Sequence, residues 1–339
     1  MATTEERLAA LEAKMAQLTD TTPTEYYTHQ YSGEEIDAAT GRALTGGALD
    51  TSVTNVSNQL GTFVRPNLLD NWYFGRPVNQ RGQTEYTGEW IYTIDRWELS
   101  DGGGTLTVQD GSIIYASASY LFQPIDSDIS KQLAGKTLTI SFLYADGTLD
   151  IGTSKIASSW DSWTVFLDAG NARLVGVGNG RLWVLNTETG KAIVAAKLEL
   201  GPTQTLAHQD AAGNWVLNEV PDYGEQLRRC QRYAIDLHGP TNYGVLGSGV
   251  ARRTDRASIF CPLPVSMRVT PVATFGGSLT LASNADAGRG YVVTAVNVDH
   301  INSNGITLNV DTAGLTISTV YQLWRQGDAS AHILLSADL

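Results

Sequence analysis

The chain is poor in cysteine, in long apolar runs and in charge, and each shortage removes a class of function. Cys230 and Cys261 are the only cysteines among 339 residues, and no CxxC pair exists. A tetrathiolate zinc site is therefore excluded, and two buried free thiols are expected rather than a disulfide. No apolar stretch approaches the roughly 20 residues of a membrane span. Met1-Ala-Thr-Thr-Glu-Glu-Arg7 also lacks the basic start and apolar run of a secretory signal. Synthesis in the cytoplasm, with no membrane insertion, is expected. Charged residues make up 17% of the chain, against about 25% in an average soluble domain. Basic charge is the scarcer sign, with 23 lysines and arginines facing 35 aspartates and glutamates for a net charge of −12. That balance argues against nucleic acid as the main ligand, because phosphate binding needs clustered positive charge.

Catalytic signatures are missing too. The five histidines (29, 208, 238, 300 and 332) form no HxH or HExxH arrangement. No GxSxG sits at a strand-to-helix turn, and Gly247-Ser-Gly249 reads as a plain loop triplet. Gly102-Gly-Gly104 and Gly176-x-Gly178 lack the following helix that a phosphate cradle needs. Carboxylates abound (Glu85, Glu89, Asp95, Asp126, Asp128), but no spacing singles out the pair that glycoside hydrolysis requires. No covalent chemistry is expected. Asp146-x-x-x-Asp150 and Asp126-Ser-Asp128 offer carboxylates and carbonyls to calcium, with solvated turns the plainer reading, so no cofactor is expected.

What is present divides the chain by periodicity. Leu8, Leu11, Met15 and Leu18 fall three, four and three apart, with charged residues and alanine between them. This spacing predicts a coiled-coil helix over 1–22. Thr21-Thr-Pro23 stops it. Ser32 then offers a capping box with Glu35, and Leu49, Val53, Val56 and Leu60 repeat the heptad spacing, which predicts a helical stalk over 23–62. From Phe63 the period changes to two. Trp90–Ile94, Thr105–Val108, Ser112–Tyr115, Thr137–Tyr144, Trp163–Leu167, Arg181–Leu185 and Ala192–Leu200 are rich in β-branched and aromatic residues and bounded by Gly, Asp and Asn. A β-sandwich of jelly-roll type is expected over 63–203. A linker over 204–233 carries a short helix, Asp222–Tyr233. Strands return at Ala257–Phe260, Val269–Phe275, Tyr291–Val298, Ile306–Val310, Thr319–Trp324 and His332–Leu335, predicting a second sandwich over 234–339. The fold class is thus mainly β: a short helical stalk followed by two sandwiches.

Aromatic residues supply the binding candidates. Sugar rings present apolar C–H faces that stack on Trp and Tyr, while hydroxyls take planar donors and acceptors. Trp90 and Tyr92 share one face of a predicted strand, Trp160 sits in a Ser-Ser-Trp-Asp-Ser loop, and Trp183 lies in a further strand. Trp72, Trp97 and Trp163 read as core. In the last domain Tyr243, Arg252, Arg253 and Arg256 and the Ser283–Gly290 loop offer polar groups to an anionic glycan. All nine basic residues after position 203 are arginine, which suits planar anionic partners.

Four segments carry a family resemblance. Tyr31-Ser-Gly-Glu-Glu-Ile-Asp37 precedes the β region, and Asn67-Leu-Leu-Asp-Asn-Trp-Tyr-Phe-Gly-Arg-Pro-Val-Asn-Gln-Arg-Gly-Gln83, closing at Asp95-Arg96-Trp97, opens it. Ala196-Lys-Leu-Glu-Leu-Gly-Pro202 ends the first domain, and Asp222-Tyr-Gly-Glu-Gln-Leu-Arg-Arg-Cys-Gln-Arg-Tyr233 follows. Together they resemble bacteriophage tail fibre and minor tail proteins with a carbohydrate-binding-like jelly roll. The resemblance implies a homotrimeric, non-enzymatic virion protein. Its N-terminal region would attach to other tail proteins, and its β domains would bind a bacterial surface polysaccharide with avidity from multiple copies. A capsid head fibre or decoration protein has the same stalk-and-knob design. The reading from another class is a surface-polysaccharide depolymerase or esterase.

Overall fold

The computed structural model describes residues 65–100, 102–116, 120–125, 127–156, 164–168, 173–178, 181–186, 191–238, 243–286, 289–325 and 327–338, besides positions 9, 10, 13 and 51. The chain divides into two compact units, Met1–Phe63 and Val64–Leu339. The heptad positions Leu8, Leu11, Met15, Leu18, Leu49, Val53, Val56 and Leu60 lie outside the described residues. The larger unit is mainly β, built from antiparallel sheets around two hydrophobic cores.

The first core lies between two six-stranded sheets. One is formed by β1 (Glu85–Gly88), β4 (Gly104–Gln109), β5 (Ser112–Ala116), β7 (Thr137–Tyr144), β8 (Leu149–Lys155) and β12 (Ala192–Leu200), in the order β1-β4-β5-β12-β7-β8. The other takes β2 (Ile91–Tyr92), β3 (Glu98–Leu99), β6 (Tyr120–Pro124), β9 (Thr164–Asp168), β10 (Arg173–Gly178) and β11 (Arg181–Asn186), in the order β2-β3-β6-β11-β10-β9. Helix α1 (Ser127–Leu133) links β6 to β7. Leu106, Ile113, Leu138, Ile140 and Leu198 of the first sheet meet Leu99, Leu121 and Leu182 of the second. Alternation along each strand aims these residues inward and their neighbours outward.

The outward face of β7 and β12 is covered as well. Thr139, Ser141, Lys197 and Glu199 are buried there, paired across the strands as Lys197–Ser141 and Glu199–Thr139. The cover is the stretch after β12, with the hairpin of β13 (Ala207–Gln209) and β14 (Trp215–Leu217). Thr205 donates its N–H and hydroxyl to Glu199 at 2.6 and 2.5 Å, and Lys197 Nζ reaches Glu219 at 3.5 Å. Leu206 and Ala207 enter the first core. Residues 204–219 are therefore folded onto the first lobe rather than strung between lobes.

Helix α2 (Tyr223–Gln231) follows, capped by Asp222, whose carboxylate accepts the Glu225 N–H at 2.8 Å. The second lobe then packs a three-stranded sheet against a seven-stranded one. The first comprises β15 (Ala234–Leu237), β18 (Val272–Gly276) and β24 (His332–Ser336), in the order β15-β24-β18. The second comprises β16 (Val245–Arg253), β17 (Arg256–Pro262), β19 (Thr280–Ala282), β20 (Gly290–Val292), β21 (Ala295–Asn302), β22 (Gly305–Asp311) and β23 (Val320–Trp324), in the order β20-β19-β23-β16-β17-β22-β21. Ile235, Ile333 and Leu335 meet Ile259, Leu308, Tyr321 and Leu323 between them. Cys230 and Cys261 are free and buried.

Four local expectations are corrected. Trp90 is not in a strand; it sits in a bend at φ 51°, and only Ile91–Tyr92 pair. Tyr291–Val298 is two strands, broken between Val292 and Ala295, where Val293 donates to the Leu279 carbonyl and Thr294 to that of Asp311. The strand near Phe275 starts at Val272, past Pro271, whose missing N–H cannot enter a ladder. Gly247-Ser-Gly249 is no loop. It lies inside β16, where a Cβ on Gly249 would stand 1.8 Å from the Ser258 carbonyl of β17.

Candidate functional site

The motif that opens the β region spends its polar groups on structure. Asn71 adopts a left-handed backbone at φ 49°. Its Nδ2 donates to the Val78 and Asp95 carbonyls, both at 2.8 Å, and its Oδ1 accepts the Val78 N–H at 2.7 Å. Trp97 Nε1 donates to the Asn71 carbonyl at 3.1 Å, and the Asn71 N–H reaches Gln226 Oε1 of α2 at 3.0 Å. Asp70 receives Arg96 at 3.1 Å and Arg229 of α2 at 2.7 Å. Gln80 Nε2 bridges the Asp95 carboxylate (2.5 Å) and the Ala234 carbonyl (2.8 Å), while Arg81 reaches Asp338 at 3.0 Å. Burial pushes the Asp95 carboxyl up to about 6, against the hydrogen bonds from Gln80 and the charge of Arg81. The segment is a seam that fastens the two lobes. Beside it a cavity of about 280 Å³ is lined by Asn71, Tyr73, Arg76, Tyr223 and Gln226, with Arg76 stacked 4.4 Å over the Tyr223 ring.

An aromatic face forms on the second sheet of the first lobe. Register pairs Tyr92 with Glu98, Glu98 with Phe122, and Phe122 with Trp183, one row across four strands. Leu99, Leu121 and Leu182, one position along, belong to the core, so the row falls on the outer face. Tyr120 stacks on Phe122 with centroids 6.2 Å apart and planes at 12°. Trp90 leans over the same ring at 6.1 Å and 38°. Phe122 is fully buried beneath them, yet Trp90 remains 52% exposed. Arg81 lies 5.5 Å over the Tyr92 ring. The result is an apolar shelf with an exposed indole at one side and a buried carboxylate, Glu98, in its row.

Of the residues singled out in the sequence, Trp90 and Tyr92 come together on one sheet face; Trp183 is paired in register with Phe122, and its side chain lies outside the described residues. Glu98, Tyr120 and Phe122 were legible only as the alternation in Glu98-Leu99 and Tyr120-Leu-Phe122. Trp160 and Trp163 lie outside the described residues, while Trp72 and Trp97 are buried in the core.

The second-lobe candidates do not converge. Tyr243 is 65% exposed, and Arg252 is exposed on β16. Arg253 pairs with Asp255 at 2.8 Å across the β16–β17 turn. Arg256 forks onto Asp311 of β22 at 2.5 and 3.0 Å. Two of the three cations are therefore already matched by carboxylates. Of the calcium candidates, Asp126 and the Asp128 carboxylate lie outside the described residues. Asp146, exposed in its turn, accepts the Thr148 N–H (2.9 Å) and hydroxyl (2.6 Å), bonds that hold its carboxyl below the usual range. Asp150 accepts the Tyr144 hydroxyl at 2.8 Å, and burial raises its carboxyl. Among the described residues no group of three or more His, Cys, Asp or Glu side chains stands together to hold a metal ion. Set against family models, curated proteins and solved structures, the chain matches none of them.

Proposed function

We propose that this chain is a glycan-binding protein of a virion appendage, a tail fibre or receptor-binding protein of homotrimeric design with an N-terminal helical stalk. In this reading the first lobe is a carbohydrate-binding-like jelly roll, and its aromatic face engages a bacterial surface polysaccharide without cleaving it. One observation carries the proposal: the row Tyr92–Glu98–Phe122–Trp183, with Trp90 standing half-exposed above it. An exposed indole stacks on the C–H face of a pyranose, and the Tyr92 ring lies beside it on the same face. Burial at one such shelf is small, so firm attachment relies on several copies held by the stalk.

The test is co-sedimentation of purified protein with candidate bacterial cells, comparing the wild type with Trp90→Ala and Tyr92→Ala. Reducing-sugar release is followed in parallel, and sedimentation equilibrium gives the oligomer. Binding that falls in both variants, with no sugar released and a trimeric mass, supports the proposal. Binding untouched by either substitution removes this face as the site. Sugar release replaces the proposal with a depolymerase.

A further inference from the structure

We infer that the second lobe carries its own site for a neutral sugar, in a groove on the outer face of the seven-stranded sheet. The ligand class rests on the glycan-binding reading above, but the groove is separate from the aromatic shelf and made from different residues. β23 sends Tyr321 and Leu323 into the core and leaves Val320, Gln322 and Trp324 on the other face. Gln322 pairs with Ala282 of β19 on one side and with Ser248 of β16 on the other. Immediately after Ala282 the chain leaves the sheet through Ser283 and a 3-10 turn, Asn284–Asp286. These residues enclose a cavity of about 270 Å³ lined by Ala282, Ser283, Asn284, Val320, Gln322 and Trp324.

The lining selects the ligand. Among the described residues it contains no charged side chain, so neither an anionic group nor a cation finds a partner there. Its polar members are two exposed planar amides, Gln322 and Asn284, and the Ser283 hydroxyl. Ser283 Oγ accepts the Ala285 N–H at 3.2 Å, which leaves its proton to donate. Its aromatic member is Trp324, whose Nε1 is shut off from solvent with no hydrogen-bond partner among the described residues. The indole therefore offers the groove ring carbon rather than its polar edge. An apolar ring face flanked by amides and a hydroxyl matches a pyranose, with C–H on one side and hydroxyls around the rim. The volume lies just under the range of about 300–1,000 Å³ for ligand clefts, and so fits one sugar ring rather than an extended chain.

Saturation-transfer NMR on the full chain tests this with glucose, galactose and N-acetylglucosamine at millimolar concentration. At least one should receive saturation at its ring C–H protons. Gln322→Ala and Asn284→Ala, both at exposed positions, should weaken it, with about a tenfold loss in the double variant, and Trp324→Ala should abolish it. Signal that persists in Trp90→Ala but vanishes in Gln322→Ala/Asn284→Ala assigns the binding to the groove. This holds whether or not Trp324→Ala folds. No transfer to any of the three sugars, or transfer that survives the double variant, overturns the inference. If cell binding then still depends on Trp90, the first-lobe reading stands alone. Groove binding without any cell binding would instead keep this inference and remove that reading.

Discussion

The Arg96 guanidinium lies 3.5 Å from the centre of the Tyr233 ring, joining the last residues of the opening motif to the residue pair that follows α2. Its Nε holds Asp70 at 3.1 Å and its Nη2 donates to the Pro124 carbonyl at 2.6 Å. Asp70 is shared with Arg229, so one carboxylate and one ring couple both lobes to a single cation. Lysine cannot reproduce a planar fork that stacks and donates in two directions. Arg96→Lys is expected to lower stability by about 2–4 kcal/mol. Arg252→Lys, at an exposed position, should stay within about 0.5 kcal/mol. Urea denaturation of both variants checks this; an Arg96→Lys midpoint equal to that of wild type would refute the coupling.

The same seam has a pH signature. Asp95 is buried, and its folded carboxyl titrates at about 6 rather than at its ordinary 3.8. Facing it are Gln80 and Arg81, with Asp338 adding like charge. A raised carboxyl means that the folded protein holds a proton the unfolded chain has already lost. Stability from this group is therefore fully present below about 3.8 and is lost as pH rises through about 6. Each tenfold tightening of proton binding on folding is worth about 1.4 kcal/mol, so a gain on the order of 2 kcal/mol is expected between pH 7 and pH 4. Asp95→Asn should flatten that part of the profile. Equal pH slopes for wild type and variant would rule the mechanism out.

Trp90 separates stability from binding. Its φ of 51° is left-handed, which costs a non-glycine residue roughly 1–2 kcal/mol. Contact with Phe122 returns roughly 0.5–1.5 kcal/mol. Trp90→Gly removes both, so folding stability should move by less than about 1 kcal/mol while cell binding falls at least about tenfold. A large loss of stability would mean that Trp90 is simply structural cover for Phe122.

Sequence and structure agree most closely where strands are buried on both faces. Thr137–Tyr144 and Ala192–Leu200 are legible to their ends, because strands covered on both sides carry closely spaced apolar and β-branched residues along their whole length. Trp90 misleads for the opposite reason. Trp-Ile-Tyr-Thr-Ile is strand-like in composition, yet the chain must turn between β1 and β2, and the bend falls on the tryptophan. β16 is hidden by its glycines, which read as a loop until β17 is seen to pass too close for a Cβ. The seam was invisible as a seam. Asp70, Gln80 and Arg81 find their partners at Arg229, Ala234 and Asp338, and no local pattern announces pairings of that range. The aromatic face lies between these cases, with its residue types visible and their convergence on one row set by strand order alone.

The two thiols give a direct check on the burial of both cores. Burial pushes Cys261 up to about 12, and burial with the nearby Asp95 and Asp70 charges raises Cys230 well above its ordinary value. Neither offers thiolate at neutral pH, and the thiolate is the reactive form. A disulfide reagent at pH 8 should therefore release little thiolate product from folded protein and titrate two thiols in denaturant. Rapid reaction of the folded protein would contradict the packing.

The glycines of β16 make the sharpest stability contrast. At Gly249 an added Cβ would meet the Ser258 carbonyl at 1.8 Å and Ile259 Cα at 2.8 Å, both backbone atoms of the paired strand. Neither can rotate away, so Gly249→Ala must push β16 from β17 in the middle of the seven-stranded sheet. The expected cost is about 3 kcal/mol or more. Gly111 is also special, but only in its own backbone: φ is 78° and nothing lies within 4 Å of its would-be Cβ. Gly111→Ala should cost only the left-handed penalty, about 1–2 kcal/mol. Amide hydrogen exchange locates the damage as well as sizing it. In Gly249→Ala the amides of β16, β17 and β23 should lose protection first, whereas Gly111→Ala should loosen the β4–β5 hairpin alone. Equal losses in the two variants would mean that close strand approach is not what these glycines serve.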